Sequence, residues 1–290
     1  MRTDVLSVAL VEEIHRAMLR GGDMAGVVSG LEGATLPGLL EYGCLRWSCR
    51  YDGTMPDLPR AVTSSDLGRA LGLVRSELGL SMNAPQRSPS RHLDPLSAEF
   101  FTVQGAHDLV REEWDYFATR FDASARHVGF SFDAAAKLQL ALFEMAENAV
   151  IHAEAPAILV GYHASPPTAL FCVADVGIGV LASLRKNPSF GRLTRHNEAI
   201  RTALQEGTTS LLAEEGGGGF GFRQVFTSLT DHWGSLRFRS LGGCITMEGT
   251  DCDANRGAFT HPPILPGFQV TVCCRTHAPA SSQEQNDLFV

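Results

Sequence analysis

Three short stretches carry residue types whose spacing could do chemistry. In the first, Glu144 and Asn148 stand four apart within E-M-A-E-N-A, Glu144 to Ala149. At helical spacing they share a face. An asparagine oxygen there can ligate Mg²⁺, a hard cation that takes oxygen ligands. A glutamate beside it can accept a proton from an attacking water or hydroxyl. In the second, Asp175 follows the apolar run L-F-C-V-A and opens D-V-G-I-G, ending at Gly179. Gly177 and Gly179 allow a sharp turn and a close ligand approach. A buried carboxylate at such a strand end can accept a hydrogen bond from an exocyclic amine, a contact worth about 1–3 kcal/mol if lost. In the third, G-G-G-G-F-G-F (Gly216 to Phe222) precedes a predicted helix. Glycine N–H groups beside a helix N-terminus make a phosphate cradle. Taken singly, each stretch also has a structural reading: a solvated helix face, an Asp-Gly turn, a lid hinge.

The elements that must position these residues are legible as patterns. Apolar spacing predicts a helix over 4–19, ended by Gly21 and Gly22, with His15 on its surface. Residues 25–55 suggest no chemistry. Ser64 or Ser65 is the expected cap of a packing helix through Leu67, Ala70, Leu71, Val74 and Leu78. Three prolines and three serines between 81 and 96 predict a linker, with Arg87 and Arg91 solvated. The expected organisation is therefore an N-terminal region 1–80, a linker 81–96, a main domain 97–277 and a disordered tail 278–290.

Within the main domain, a strand is predicted at Glu99 to Gln104. A helix over 106–121 follows, with Leu109, Val110, Trp114 and Phe117 inward. Ser131 or Asp133 caps a helix running to about His152, with Leu138, Leu142, Met145 and Ala149 on its apolar face. Strands are predicted at 158–162 and 169–174 around the turn Ser165-Pro166-Pro167. The region from 180 to 215 reads as irregular apart from a helix over 198–205. A helix over 222–229 and strands at 235–240, 244–248 and 268–273 complete the domain.

Bulk properties set limits. The chain has 290 residues, 44% of them hydrophobic and 19% charged, which are globular values. A net charge of −8 argues against a nucleic-acid surface. No apolar run is long enough to span a membrane, so no membrane association is expected. The seven cysteines form no C-x-x-C pair and no Cys/His cluster, as expected of reduced thiols in the cytoplasm. Gly216, Gly218 and Gly221 satisfy G-x-G-x-x-G, but S-L-L-A-E-E precedes them instead of a strand, which excludes a dinucleotide fingerprint.

Together and in order, the three stretches resemble the GHKL superfamily of ATPases, which includes gyrase-type, heat-shock-chaperone, histidine-kinase and mismatch-repair enzymes. The likeness covers about residues 97 to 275. The helix F-E-M-A-E-N-A-V-I-H-A is most similar to those of anti-sigma serine kinases and sensor-kinase ATPase domains. The resemblance implies an α/β fold of the α+β two-layer type, with a mixed sheet backed by helices. It implies ATP and Mg²⁺, with Glu144 as general base and Asn148 as both nucleotide contact and Mg²⁺ ligand. By the same resemblance Asp175 reads the adenine amine, Gly177 and Gly179 line the base and ribose, and Gly219 and Gly221 face the phosphates. Residues 180–215 become the lid, offering Arg185, Lys186, Arg192 and Arg195. The implied activity is ATP hydrolysis or phosphoryl transfer to a regulatory protein partner; binding without turnover is the alternative, and a homodimer is compatible with either. Two departures stand out. Gly267-Phe268 replaces the family's frequent Gly-Thr, and 249–266 is longer than the usual turn. No H-[ED]-x-x-x-P phospho-acceptor helix is present.

Overall fold

A computed structural model describes residues 4–48, 55–75, 93–205, 233–248 and 257–277. The glycine run, the helix expected at 222–229, most of the 81–96 linker and the 278–290 tail lie outside these residues.

A short strand β1 (Val5–Leu6) leads through Ser7 into helix α1 (Val8–Leu19). The Ser7 hydroxyl accepts the Leu10 N–H at 3.3 Å, as an N-cap should. The helix ends at Arg20 and Gly21, the latter at φ +75°. His15 is 2% exposed, not a surface histidine, because it lies one turn on from buried Val11, on the stripe of α1 that adjoins Leu10 and Ile14. Helix α2 (Ala25–Ser29) and strand β2 (Gly33–Ala34) follow, and β2 pairs in parallel with β1. Thr35 caps α3 (Leu36–Trp47) by accepting the Gly38 N–H at 3.1 Å. After α4 (Arg60–Thr63), Ser65 caps α5 (Asp66–Arg75) through the Gly68 N–H at 3.0 Å.

The main sheet begins at β3 (Ala98–Val103). A 3₁₀ turn (Ala106–Val110) then leads into α6 (Glu112–His127). The single helix expected over 106–121 breaks at Arg111, so Val110 faces outward at 81% exposure while Leu109, Trp114 and Phe117 are buried. Ser131 caps α7 (Phe132–His152), accepting the Ala134 N–H at 3.2 Å. Strands β4 (Ile158–Ser165) and β5 (Thr168–Ala174) form a hairpin. The described part of the expected lid, to residue 205, contains α8 (Gly179–Leu184), a 3₁₀ turn at Pro188–Phe190 and α9 (His196–Ala203), so that part is more regular than its sequence suggests. Strands β6 (Ser235–Leu241), β7 (Gly243–Glu248), β8 (Ala258–Thr260) and β9 (Leu265–Arg275) complete the fold.

The seven-stranded sheet has the order β3-β4-β5-β9-β6-β7-β8. Every pairing in it is antiparallel, so the mixed sheet expected from sequence is not observed. The reason is topological. β5 and β6 run the same way, but the last strand inserts between them and pairs antiparallel with both.

Both faces of the sheet are covered, which replaces the expected two layers by three. On one face Phe171, Val173, Phe238, Val270 and Val272 pack under α6 and α7. On the other, Leu170, Cys172, Ala174 and Cys273 join Leu10, Ile14, Leu39 and Leu45 of the amino-terminal helices. Strands covered on both sides read as continuous apolar runs, as T-A-L-F-C-V-A does. The exception is β6, whose S-L-R-F-R-S-L alternates. Leu236 and Phe238 face α7, while Arg237 and Arg239 face the amino-terminal helices and are buried there.

Those two arginines meet Glu41 of α3. Its Oε2 accepts Arg239 Nη1 at 2.5 Å, and its Oε1 accepts Arg237 Nη1. Glu12 of α1 takes Arg237 Nη2 at 2.9 Å, and the Pro263 carbonyl takes Arg239 Nη2 at 2.6 Å. Glu41 and Arg239 are almost fully buried, so removing one partner strands a charge in low dielectric. Glu41→Ala is therefore expected to destabilise the protein by about 3–5 kcal/mol. Urea unfolding of the variant and of Glu41→Gln would measure this. A loss below about 1 kcal/mol, the range of exposed pairs, would mean that the triad is effectively solvated.

Candidate functional site

The carboxyl end of α7, the turn after β5 and the start of β9 meet at one place. The Ala153 carbonyl caps this junction by accepting the Ile178 N–H at 2.9 Å. A Cβ on Gly177 would lie 1.9 Å from that same oxygen, so only glycine lets the turn close on the helix end. Gly267, at φ +81°, is held as tightly: a Cβ there would sit 2.1 Å from the Asp175 carbonyl and 2.5 Å from Asp175 Oδ1. The Asp175 N–H in turn donates to the Phe268 carbonyl at 3.0 Å. Ser240 of β6 ties the third side, accepting the Val180 N–H at 2.9 Å and donating to the Gly267 carbonyl at 3.3 Å.

Asp175 lies inside this junction with no exposed surface. Its Oδ1 accepts the Gly177 N–H at 2.7 Å. Its Oδ2 is buried without a hydrogen-bond partner among the described residues. Burial pushes the carboxyl up to about 7, against the opposing pull of the Gly177 and Phe268 backbone N–H groups. A buried acceptor left open in this way either holds a proton or waits for a donor.

Glu144 and Asn148 lie on one half-buried stripe of α7, while Leu142, Met145, Ala146 and Ala149 face the core. With about 1.5 Å of rise per residue, Asn148 stands about 7.5 Å and Glu144 about 13.5 Å along the axis from Ala153. The three polar residues therefore occur in the order Asp175, Asn148, Glu144 away from the turn. Burial and then the neighbouring Glu147 raise the Glu144 carboxyl above its usual range.

Gly177 and Gly179 sit in the turn as expected, Gly179 at φ +73° with Leu241 and Ser240 against it. Gly219 and Gly221 lie outside the described residues. Of the lid cations, Lys186 pairs with Glu154 at 2.5 Å, and Arg192 and Arg195 are exposed. Among the described residues no three His, Cys, Asp or Glu side chains form a metal-binding group. Phe268 stacks on Phe238 with centroids 5.6 Å apart, a buried apolar pair beside the turn.

Sequence reasoning missed the residues behind the turn. Gln269 is 4% exposed, and its Nε2 reaches the Asp175 and Pro266 carbonyls at 3.5 Å each. A glutamine inside the apolar run F-Q-V-T-V was the available signal, since a buried polar group needs partners.

Scanned against models of known protein families, the chain matches none, and a search of curated proteins finds no match.

The Asp175 carboxyl makes stability depend on pH. In the unfolded chain an aspartate titrates near about 3.9, whereas the folded protein holds the proton up to about 7. The stabilisation from this group is thus fully present below about pH 4 and is lost as pH rises through about 7. Asp175→Asn does not titrate. Its stability relative to wild type should rise by roughly 1.4 kcal/mol per pH unit across that window. Denaturant unfolding at several pH values measures the difference, and a pH-independent difference would show that Asp175 is not buried as a neutral acid.

Proposed function

We propose that the chain is an ATP-binding regulatory protein of the GHKL, histidine kinase-like type, with its nucleotide held between α7 and the Asp175–Gly179 turn. The observation that carries the reading is the fully buried Asp175, whose Oδ2 has no described partner. An exocyclic amine of adenine would supply the donor that this atom lacks, and binding would favour the ionised carboxylate. The absence of a Cβ at Gly177 and Gly267 lets the end of α7 and the start of β9 close on the turn that holds this carboxyl.

The remaining residues take roles along α7. Asn148 would hold Mg²⁺ through its side-chain oxygen, a ligand type that this hard cation takes. Glu144 would accept the proton from the attacking group, and its raised pKa makes it a better base than an exposed glutamate. ATP would supply the γ-phosphoryl group and Mg²⁺ would neutralise its charge, leaving the protein to position the reacting groups. The same base serves water or a partner's hydroxyl, which makes the activity ATP hydrolysis or protein phosphorylation.

Two coarser features accompany this reading. No described helix is long and apolar enough to cross a membrane. The five described cysteines are buried, and a reducing, cytoplasmic setting suits such thiols.

A second reading, nucleotide-gated binding without turnover, draws on the complete helical layer that Glu41 bolts to the far face of the sheet. ATP at a hundred times its Kd should stabilise the wild type by about 2.7 kcal/mol. A thermal-shift titration with Mg-ATP should show this stabilisation largely abolished in Asp175→Asn. Glu144→Gln should keep the shift and lose turnover. Equal shifts in wild type and Asp175→Asn would remove Asp175 from the site. A wild type that binds without releasing or transferring phosphate would favour the gating reading.

A further inference from the structure

Behind the Asp175 turn, on the face away from α7, three residues stand in one row across three strands. Gln269 of β9 is the direct partner of Ala174 on β5 and of Arg239 on β6. Arg239 is gripped by Glu41 of α3 and by the Pro263 carbonyl through its two Nη atoms. Cys44, one helical turn on from Glu41, lies beside the Gln269 amide. A row of buried polar groups therefore leads from the Asp175 carbonyl through Gln269 and its strand partner Arg239 to Glu41 of α3.

The row is incompletely paired. Gln269 Oε1 and Arg239 Nε are both buried without a hydrogen-bond partner among the described residues. One is an acceptor and the other a donor, on directly opposed residues whose side chains share a face of the sheet. The bonds that Gln269 makes to the Asp175 and Pro266 carbonyls, at 3.5 Å, are at the long limit. The amide bonds to carbonyls of the Asp175 turn, and its open Oε1 belongs to the residue directly opposed to Arg239, whose Nε is open as well. A turn of the amide that brought Oε1 to Arg239 Nε would give this interior a second polar arrangement, and coupling between sites needs such a two-state element.

We infer that Gln269 is a positioning residue that couples ligand binding at the Asp175 turn to the packing of α3 on the opposite face of the sheet. This rests on the nucleotide reading above and assigns that site a regulatory output. A base donating to Asp175 Oδ2 draws the turn toward the α7 side and fixes its carbonyl. The Gln269 amide then settles on one partner set, and the change passes through Arg239 and Glu41 to α3. The amino-terminal helices become the part of the molecule that reports nucleotide occupancy. By linkage, whatever loosens α3 changes nucleotide affinity by the same factor.

The test is amide hydrogen exchange on the full chain with and without saturating Mg-ATP, in wild type and Gln269→Met. Methionine keeps the length of the side chain and removes both polar atoms. Strands β3 and β4, at the far edge of the sheet, report any global stabilisation. In wild type, Mg-ATP should slow exchange in the 175–180 turn and in α3 by more than in β3 and β4. In Gln269→Met the turn should still respond, the extra slowing of α3 should vanish, and Kd should rise by at least about fivefold. A merely structural role for Gln269 would lower the melting temperature and leave the α3 response intact, which overturns the inference. Protection of the turn without α3 in wild type also overturns it, while the nucleotide reading stands. No protection at either place removes the nucleotide reading and this inference with it. If Gln269→Met fails to fold, the wild-type comparison decides alone.

Discussion

One buried carboxylate, Glu41, holds two buried arginines from a neighbouring strand, and the layered architecture depends on that contact. Arg237 and Arg239 project from the middle of the sheet into a space that Leu39, Leu45 and Cys172 would otherwise make wholly apolar. Two guanidinium groups in such a place are tolerable only with a counter-charge and nearly complete hydrogen bonding. α3 supplies the charge, α1 adds Glu12, and the loop before β9 adds the Pro263 carbonyl. The amino-terminal helices and the sheet therefore specify each other: neither surface is stable exposed as it stands. Ion pairs of this kind contribute little net stability compared with apolar packing, but they penalise misplacement heavily. Their main effect is to fix where α3 sits on the sheet.

A second constraint is steric and lies beside the first, at the end of β5 where Ala174, Gln269 and Arg239 stand in one row. The Asp175 turn, the end of α7 and the start of β9 approach so closely that Gly177 and Gly267 leave no room for a side chain. Close backbone packing excludes water from the Asp175 carboxyl and leaves one oxygen open. Exclusion of water raises the energy of the charged form and makes any donor that does reach it bind more strongly. The same packing that destabilises the carboxylate therefore prepares a recognition point. Asn148 and Glu144 follow from it at fixed intervals because one uninterrupted helix carries them.

The two constraints share a strand. β9 presents Phe268 to the α7 side and Gln269 to the α3 side, one residue apart. Alternation along a central strand covered on both faces places the chemistry of one layer next to the packing of the other. That arrangement gives the helical layer access to the turn without any direct contact with a ligand.

Much of this was legible in the amino-acid sequence. Period-3.6 spacing located α1, α5 and α7, with Ser65 and Ser131 among the expected caps of α5 and α7, and apolar runs between turn residues located β4 to β7 and β9. These features are local, so the chain encodes them in consecutive residues. The four-residue spacing of Glu144 and Asn148, and the glycines after Asp175, were likewise local. Tertiary structure alone decided the rest. The stretch L-R-F-R reads as a strand, but what covers its arginines is decided by a helix some 200 positions earlier in the chain. His15 reads as a surface residue, and Val110 as a core one, until the packing around α1 and the break at Arg111 reverse both. The sheet is antiparallel throughout because the last strand inserts between two that run the same way, a matter of chain order in space. Whether a charged or polar side chain is buried depends on what distant segment lies over it, and no local pattern records that.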